Sequence, residues 1–332
     1  MMGGGIALVA AQRGIEVVLI DRDQAAAERG RAYAEKALGK QVERGRMAAD
    51  ERDAILARIR PTADYELLRD ADMVVEAVFE DRAVKAEVTR RLDAVLPEDC
   101  VLATNTSALP ITLLAQATTR PGRFIGLHFF SPADKMPLVE VIRGKATSDA
   151  TLARALDFVG QLKKTPIVVN DARGFFTSRF IGAFVDDSIG MVAEGINPAL
   201  IENCARQAGM PVGPLAITDE LSIELAVHAG ESQAQTFPDS YRPGRSVPVL
   251  RRLFELGRMG RKIGKGFYDY GESGKTLWPG LADLYPPATV QPDPHDLKQR
   301  VLYVQAVEAA RAMEEGVLLS PADGDLGSIL GV

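Results

Sequence analysis

The sequence predicts an α/β chain: a doubly wound domain over residues 1–170, then a mainly α-helical domain over 171–271. Three observations predict it. Short apolar runs of strand length alternate with helical stretches up to residue 169, the pattern of a sheet with helices on its faces. After Asn170 the strand pattern stops and helical periodicity takes over. At the start, a glycine cluster (Gly3, Gly4, Gly5) opens a helical stretch, and the next strand ends in an acid, Asp21.

The 332 residues are enough for two domains, and 46% hydrophobic with 25% charged residues is a globular composition. A net charge of −6 argues against nucleic acid as a partner. An anionic ligand would need local basic residues. The two cysteines, Cys100 and Cys204, lie far apart, form no metal-ligand spacing and suggest a reducing, cytoplasmic setting. No apolar run reaches transmembrane length.

Taken in order, residues 6–13 read as a helix ended by Gly14, and 16–21 as a short apolar strand. Residues 24–60 are Ala-rich, charged and helical, long enough for two helices broken near 45–49. Strands are expected at 71–78, 100–104, 124–129, 138–142 and 167–169, with a helix over 82–96. Beyond Asn170, helices are expected over 174–194, 198–207 and from Gly213 past His228. A polar loop over 238–246 precedes a helix at 250–256. Residues 258–266 form a basic, glycine-rich turn entering an aromatic strand at 267–270. The proline-rich stretch 278–295 reads as irregular, within a linker spanning 272–296, and 297–316 as one more amphipathic helix.

The first chemical signal is at the amino end. In the dinucleotide fingerprint G-x-G-x-x-G, the third glycine opens a helix and an acid about 20 residues on binds the ribose diol. Gly3 stands as that third glycine and Asp21 as the acid; the first strand and first two glycines are missing. A glycine-rich terminus reads equally well as a flexible end. With the strand ending in Asp21, the pattern points to a dinucleotide, and an acid favours NAD over NADP, tempered by Arg22 beside it.

The second signal spans 104–140. A hydroxyl (Ser107), an imidazole (His128) and a carboxylate (Glu140) each sit at the edge of an apolar run, where an open α/β sheet keeps its ligand site. A carboxylate can hold an imidazole in one tautomer and make it a better base. Each has a plain alternative: a satisfied structural histidine, an outward residue of an edge strand, a turn or N-cap serine. The run from Glu76 to Lys85 likewise reads as a strand delivering Val78 and Glu80 to the sheet edge, or as a capped helix with a solvated face.

Together the stretches 1–7, 75–85, 104–109, 128–132, 174–179 and 260–270 resemble the 3-hydroxyacyl-CoA dehydrogenase family, most closely the dehydrogenase part of the α subunit of the bacterial multifunctional fatty acid oxidation complex. The resemblance implies an NAD-dependent oxidation of an L-3-hydroxyacyl-CoA to the 3-ketoacyl-CoA in fatty acid β-oxidation. It implies His128 as general base and Glu140 as its partner. Ser107 and Ser178 would contact the acyl-CoA thioester. Met2, Gly3, Asp21, Val78, Phe79, Glu80, Lys85, Ser107 and Ser131 would line the NAD site, with Lys262 near the cofactor. It implies a thiolase subunit as partner in the full-length complex.

Two positions depart from the family pattern: many members carry Asn where this chain has Ser131 and Ser178. A serine hydroxyl donates a hydrogen bond with shorter reach. The chain opens without its first strand and stops on an apolar run at 328–332, so the expectation is a fragment whose residues 297–332 start a second helical repeat domain. Losing a central strand would expose its partners and lower stability. The rival readings are a related β-hydroxyacid dehydrogenase, or a non-catalytic NAD-binding or assembly module.

Overall fold

A computed structural model of the chain describes residues 2–236, 241–272 and 274–331. Residues 238–240 of the expected polar loop lie outside the described residues, as do Met1, Phe237, Ser273 and Val332.

Helix α1 (Met2–Gln12) starts in the glycine cluster itself, earlier than the apolar pattern suggests. Its residues from Gly4 to Ala11 are all buried, so it is a core helix. The glycines allow close approach: a Cβ on Gly4 would lie 2.7 Å from the carbonyl oxygen of Gly30, in the next helix. Gly14 ends the segment at φ +83°. Strand β1 (Val17–Ile20) follows, then α2 (Gln24–Glu43), N-capped by Asp23 through Ala26 N–H, and α3 (Ala49–Ala57). The helical reading up to Arg60 is corrected by strand β2 (Ile59–Thr62), parallel to β1. Pro61 cannot donate to a ladder, which suits β2 to an edge and hides it from a pattern search.

Next come β3 (Met73–Glu76), α4 (Arg82–Asp93) capped by Asp81, β4 (Val101–Thr104), the single turn α5 (Ile111–Leu114), β5 (Phe124–Phe129), β6 (Leu138–Arg143), α6 (Asp149–Gln161) and β7 (Thr165–Asn170). The strands form one sheet in the order β3-β4-β5-β6-β7. All neighbours run parallel except β5 and β6. A parallel pair needs a crossover of a dozen or more residues, and the connection between β5 and β6 is too short for one.

The two sheets do not join. β1 pairs only with β2, and β3 only with β4. Between them lies a cavity of about 1400 Å³ lined by both strands.

A second compact unit comprises Arg179–Arg311, while Ala312–Gly331 belongs with residues up to Ser178. Its elements are most of α7 (Thr177–Ala193), α8 (Pro198–Gln207), α9 (Pro214–Leu221), α10 (Ile223–Thr236), α11 (Val247–Glu255), the hairpin β8 (Tyr268–Gly271) and β9 (Gly274–Leu277), α12 (Gly280–Leu284) and α13 (Pro294–Glu314) up to Arg311. The single helix expected past His228 is two, broken at Ser222, whose φ is +86°. Within the expected linker, β9 and α12 are ordered, and Leu281 is buried in the helical core with Phe184, Leu215, Leu253 and Phe267. Asp219 anchors the aromatic strand, accepting hydrogen bonds from the N–H groups of Phe267 and Tyr268 and from the Tyr270 hydroxyl. Burial pushes its carboxyl pKa up.

In the first unit, the chain after Ala312 covers the outer edge of the sheet. Asn170 N–H donates to Val317 O at 2.9 Å, Val169 bridges Leu318, and helix α14 (Pro321–Leu330) follows. Covering an edge strand removes an open template for pairing.

Candidate active site

Strand β5, Phe-Ile-Gly-Leu-His-Phe, is buried along its whole length, which is why it reads as a continuous apolar run. His128 lies near its carboxyl end, and the antiparallel register sets it directly opposite Glu140 on β6. Opposed side chains in such a pair start about 5 Å apart at Cβ. His128 Nδ1 lies 2.9 Å from Glu140 Oε2. With Nδ1–H donating to the carboxylate, Nε2 is left as the acceptor. His128 is 8% exposed and Glu140 is fully buried. Phe130 and Phe175 flank the imidazole, with ring centroids 4.4 and 6.3 Å away.

Glu140 does not depend on the imidazole alone. Its Oε1 accepts from Phe176 N–H (2.9 Å) and Thr177 N–H (3.1 Å), and its Oε2 from the Thr177 hydroxyl (2.6 Å). The carboxylate therefore caps the start of α7, where free N–H groups and the helix dipole favour an anion. The chain reaches this helix through two successive left-handed residues, Gly174 (φ +72°) and Phe175 (φ +48°). A non-glycine residue held there costs on the order of 1–3 kcal/mol, offset by its surroundings.

The loop after β4 is held by a second carboxylate. Glu80 Oε1 accepts from the Thr106 hydroxyl (2.5 Å), Ser107 N–H (2.9 Å), the Ser107 hydroxyl (3.3 Å) and Ala108 N–H (3.2 Å). Asn105 Oδ1 accepts Phe129 N–H at 2.9 Å, next to His128. Ser178 donates its hydroxyl to Ser107 O at 3.0 Å, so the two serines expected at the substrate meet each other.

Gly3, Asp21, Val78 and Phe79 all line the cavity between β1 and β3. Asp21 is exposed at the end of β1, and Phe79 is 76% exposed. Met2 is half-buried against the core beside them. Ser131, Lys262 and Lys85 do not line this cavity. Ser131 is exposed in the loop after β5. Lys262 is exposed on a 3-10 turn of the second unit. Lys85 is 1% exposed and bonded to Glu76. Its ammonium also stands 3.6 Å from Glu80, the carboxylate that holds the Ser107 loop. Among the described residues, no cluster suited to a metal ion occurs.

Sequence reasoning missed Glu76, Asn105, Thr106 and Thr177 as members of this network. Asn105 and Thr106 sit inside the quoted motif beside Ser107, but their partners are distant in sequence. Thr177 follows the Gly174 turn, the one local signal of a helix start.

An α/β unit with an acid at the end of its second-position strand, an open cavity beside it and a buried His–Glu pair defines a dinucleotide-dependent oxidoreductase. Comparison with known proteins makes this specific. Residues 1–172 match the 3-hydroxyacyl-CoA dehydrogenase NAD binding domain, and residues 174–270 the 3-hydroxyacyl-CoA dehydrogenase C-terminal domain. The chain belongs to the 3-hydroxyacyl-CoA dehydrogenase family, and NAD is its cofactor. Among solved structures, the (S)-3-hydroxybutyryl-CoA dehydrogenase of Ralstonia eutropha is 34% identical, with 82% of this chain and 96% of that one covered and a TM-score of 0.76. The 3-hydroxybutyryl-CoA dehydrogenase of Escherichia coli K12 is 27% identical, covers all of this chain and 86% of its own, and has a TM-score of 0.85. The dehydrogenase part of multifunctional enzyme 1 from C. elegans is 27% identical, with 100% and 76% covered and a TM-score of 0.69.

Proposed function

We propose that the chain oxidises an L-3-hydroxyacyl-CoA to the 3-ketoacyl-CoA in fatty acid β-oxidation, with His128 as general base and Glu140 as its charge partner. The observation that carries this is the 2.9 Å contact of Nδ1 with a carboxylate fixed by three further donated hydrogen bonds. That contact supports Nε2 as the proton acceptor. His128 takes the proton of the 3-hydroxyl, and Glu140 stabilises the imidazolium that forms. Bound NAD would supply the hydride acceptor for C3, so that loss of one proton to His128 and one hydride would leave the ketone. Buried, pre-oriented groups of this kind need no reorganisation during the reaction.

The residues present fit NAD. Gly3 brings α1 close to the cavity, Asp21 offers a carboxylate to a ribose diol, and Val78 and Phe79 provide an apolar wall. Glu80 and Ser107, joined by their hydrogen bonds, are proposed to belong to the same site. Met2, Lys85 and Ser131 complete the proposed cofactor set, and Lys262 is proposed as a further cofactor-site residue. Ser107 and Ser178 are proposed to contact the acyl-CoA thioester. The product is a 3-ketoacyl thioester, whose next reaction is thiolytic cleavage, so a thiolase is the proposed partner. A cytoplasmic setting and a second helical repeat beginning near residue 297 belong to the same proposal. Among the described residues, no helix is long and apolar enough to cross a membrane.

The test is NADH oxidation with acetoacetyl-CoA, followed by absorbance, for the parent and His128→Gln. Turnover in the parent and its loss in the variant, with NADH binding retained, is the expected result. Normal turnover by the variant would end the role of His128. The cavity between β1 and β3 supports a second reading, an NAD-binding module without turnover, because it opens the sheet beside Gly3. NADH binding without turnover in the parent would favour it. A lysine-based β-hydroxyacid dehydrogenase gains nothing from Lys85, whose ammonium is engaged by Glu76.

A further inference from the structure

We propose that the segment 312–331, through its helix α14, is a positioning element for the His128–Glu140 pair: it backs the two residues at the start of α7 that hold the Glu140 carboxylate. This rests on the dehydrogenase reading of the site. The segment lies beyond both matched domains.

The segment is pinned to the sheet before α14 begins. Asn170, the last residue of β7, donates its N–H to Val317 O at 2.9 Å and its side-chain amide to Gly316 O at 2.8 Å. Ser320 then caps α14, accepting from Asp323 N–H at 3.1 Å. The helix packs on β6 and β7. Leu138 and Glu140, two apart on β6, share one face of the sheet, and Ile167 is the register partner of Glu140 on β7. Leu138 and Ile167 both meet α14, so the helix covers the face from which Glu140 projects.

Two glycines make the contact. A Cβ on Gly327 would lie 2.8 Å from Ile167 Cδ1 and 2.9 Å from Phe176 Cε1. A Cβ on Gly331 would lie 2.9 Å from Leu138 Cδ2 and 3.3 Å from Thr177 Cγ2. The absence of a side chain at these two positions sets how closely α14 approaches. Phe176 and Thr177 are the residues whose N–H groups, with the Thr177 hydroxyl, hold the Glu140 carboxylate. Both are buried, so neither side chain can turn out into solvent. Contact therefore runs from α14 to the Phe176 ring and the Thr177 methyl, from their donors to Glu140, and from Glu140 to His128.

A close-packed interior transmits a displacement of one methyl group rather than absorbing it. Misplacement of reacting groups by about 1 Å can lower turnover by about 100-fold. Gly324, one turn earlier in α14, supplies the control. A Cβ there would meet only the flexible end of Leu318, at 3.3 Å.

The experiment compares Gly327→Ala and Gly331→Ala with Gly324→Ala in the full chain. Alanine favours a helix over glycine, so the substitutions at 324 and 327 both strengthen α14 itself, and only the second crowds Phe176. In Gly327→Ala and Gly331→Ala, kcat with acetoacetyl-CoA at saturating NADH should fall about tenfold, with KM and NADH affinity changed less than about threefold. In the unliganded proteins, the amides of Phe176 and Thr177 should exchange about tenfold faster, with those of Leu127 and Val141 unchanged. Gly324→Ala should match the parent in every measurement. Unchanged exchange at Phe176 and Thr177 would overturn the proposal. So would equally faster exchange at all four amides, the mark of a general loss of packing, or the same response in Gly324→Ala. Should Gly327→Ala fail to fold, the same readouts on Gly331→Ala decide. If the parent itself does not turn over acetoacetyl-CoA, the dehydrogenase reading fails, and the exchange result still decides the positioning role.

Discussion

His128 and Glu140 are a cross-strand pair: residues in direct register on antiparallel neighbours, joined from Nδ1 to Oε2 at 2.9 Å. Strand geometry alone brings them together, so no loop has to close to assemble them. Replacing Glu140 with Gln keeps the shape and removes the charge that stabilises an imidazolium. Turnover should fall by about 100-fold, within the range general base catalysis supplies, with NADH affinity unchanged. Steady-state kinetics with acetoacetyl-CoA and a fluorescence titration with NADH check both halves.

The Thr177 hydroxyl is the third donated bond to the Glu140 carboxylate besides the two N–H groups. Thr177→Val keeps the volume and leaves a buried lone pair unpaired, which costs about 1–3 kcal/mol. The urea midpoint should drop accordingly, while Thr177→Ser stays close to the parent. An unchanged midpoint in the valine variant would show that the hydroxyl contributes nothing.

Asp93 gives a pH dependence. Burial raises its carboxyl pKa, but the hydrogen bonds from Thr118 and Thr119 and the Arg120 charge outweigh that and lower it overall. A depressed folded-state pKa means the stabilisation is complete above the unfolded value of about 3.9 and is lost as pH falls through the folded value. Melting temperatures of the parent and Asp93→Asn should therefore differ most at neutral pH. They should converge in the acid range below about pH 4.

The open gap predicts uneven protection. β5 and β6 are paired on both sides and buried, whereas β1 and β3 each carry one unpaired edge facing the cavity. Amides of Leu127 and Val141 should exchange far more slowly than those of Val18 and Val74. Equal protection across the four strands would mean that the gap is closed in solution.

The elements were mostly legible because they depend on local chemistry. Buried runs such as 124–129 and 138–142 announce strands. Asp23, Asp81 and Asn197 stand as caps where helices begin. β2 was hidden by Pro61, and the break at Ser222 by an uninterrupted helical composition. Both are decided by pairing or packing partners far along the chain.

By itself the sequence determined the α/β class, the acid at the end of β1, the presence of a histidine and a glutamate on neighbouring apolar runs, and the resemblance that the family match bears out. Those follow from residue type and period, which a one-dimensional reading contains. Only the tertiary structure decided that the β5–β6 pair is antiparallel and in register, so that His128 meets Glu140. It alone showed that Thr177 caps the carboxylate, that Lys85 is buried on Glu76, and that the sheet is split by a cavity. Each of these is a contact between distant segments, set by strand direction and side-chain packing rather than by any neighbouring residue.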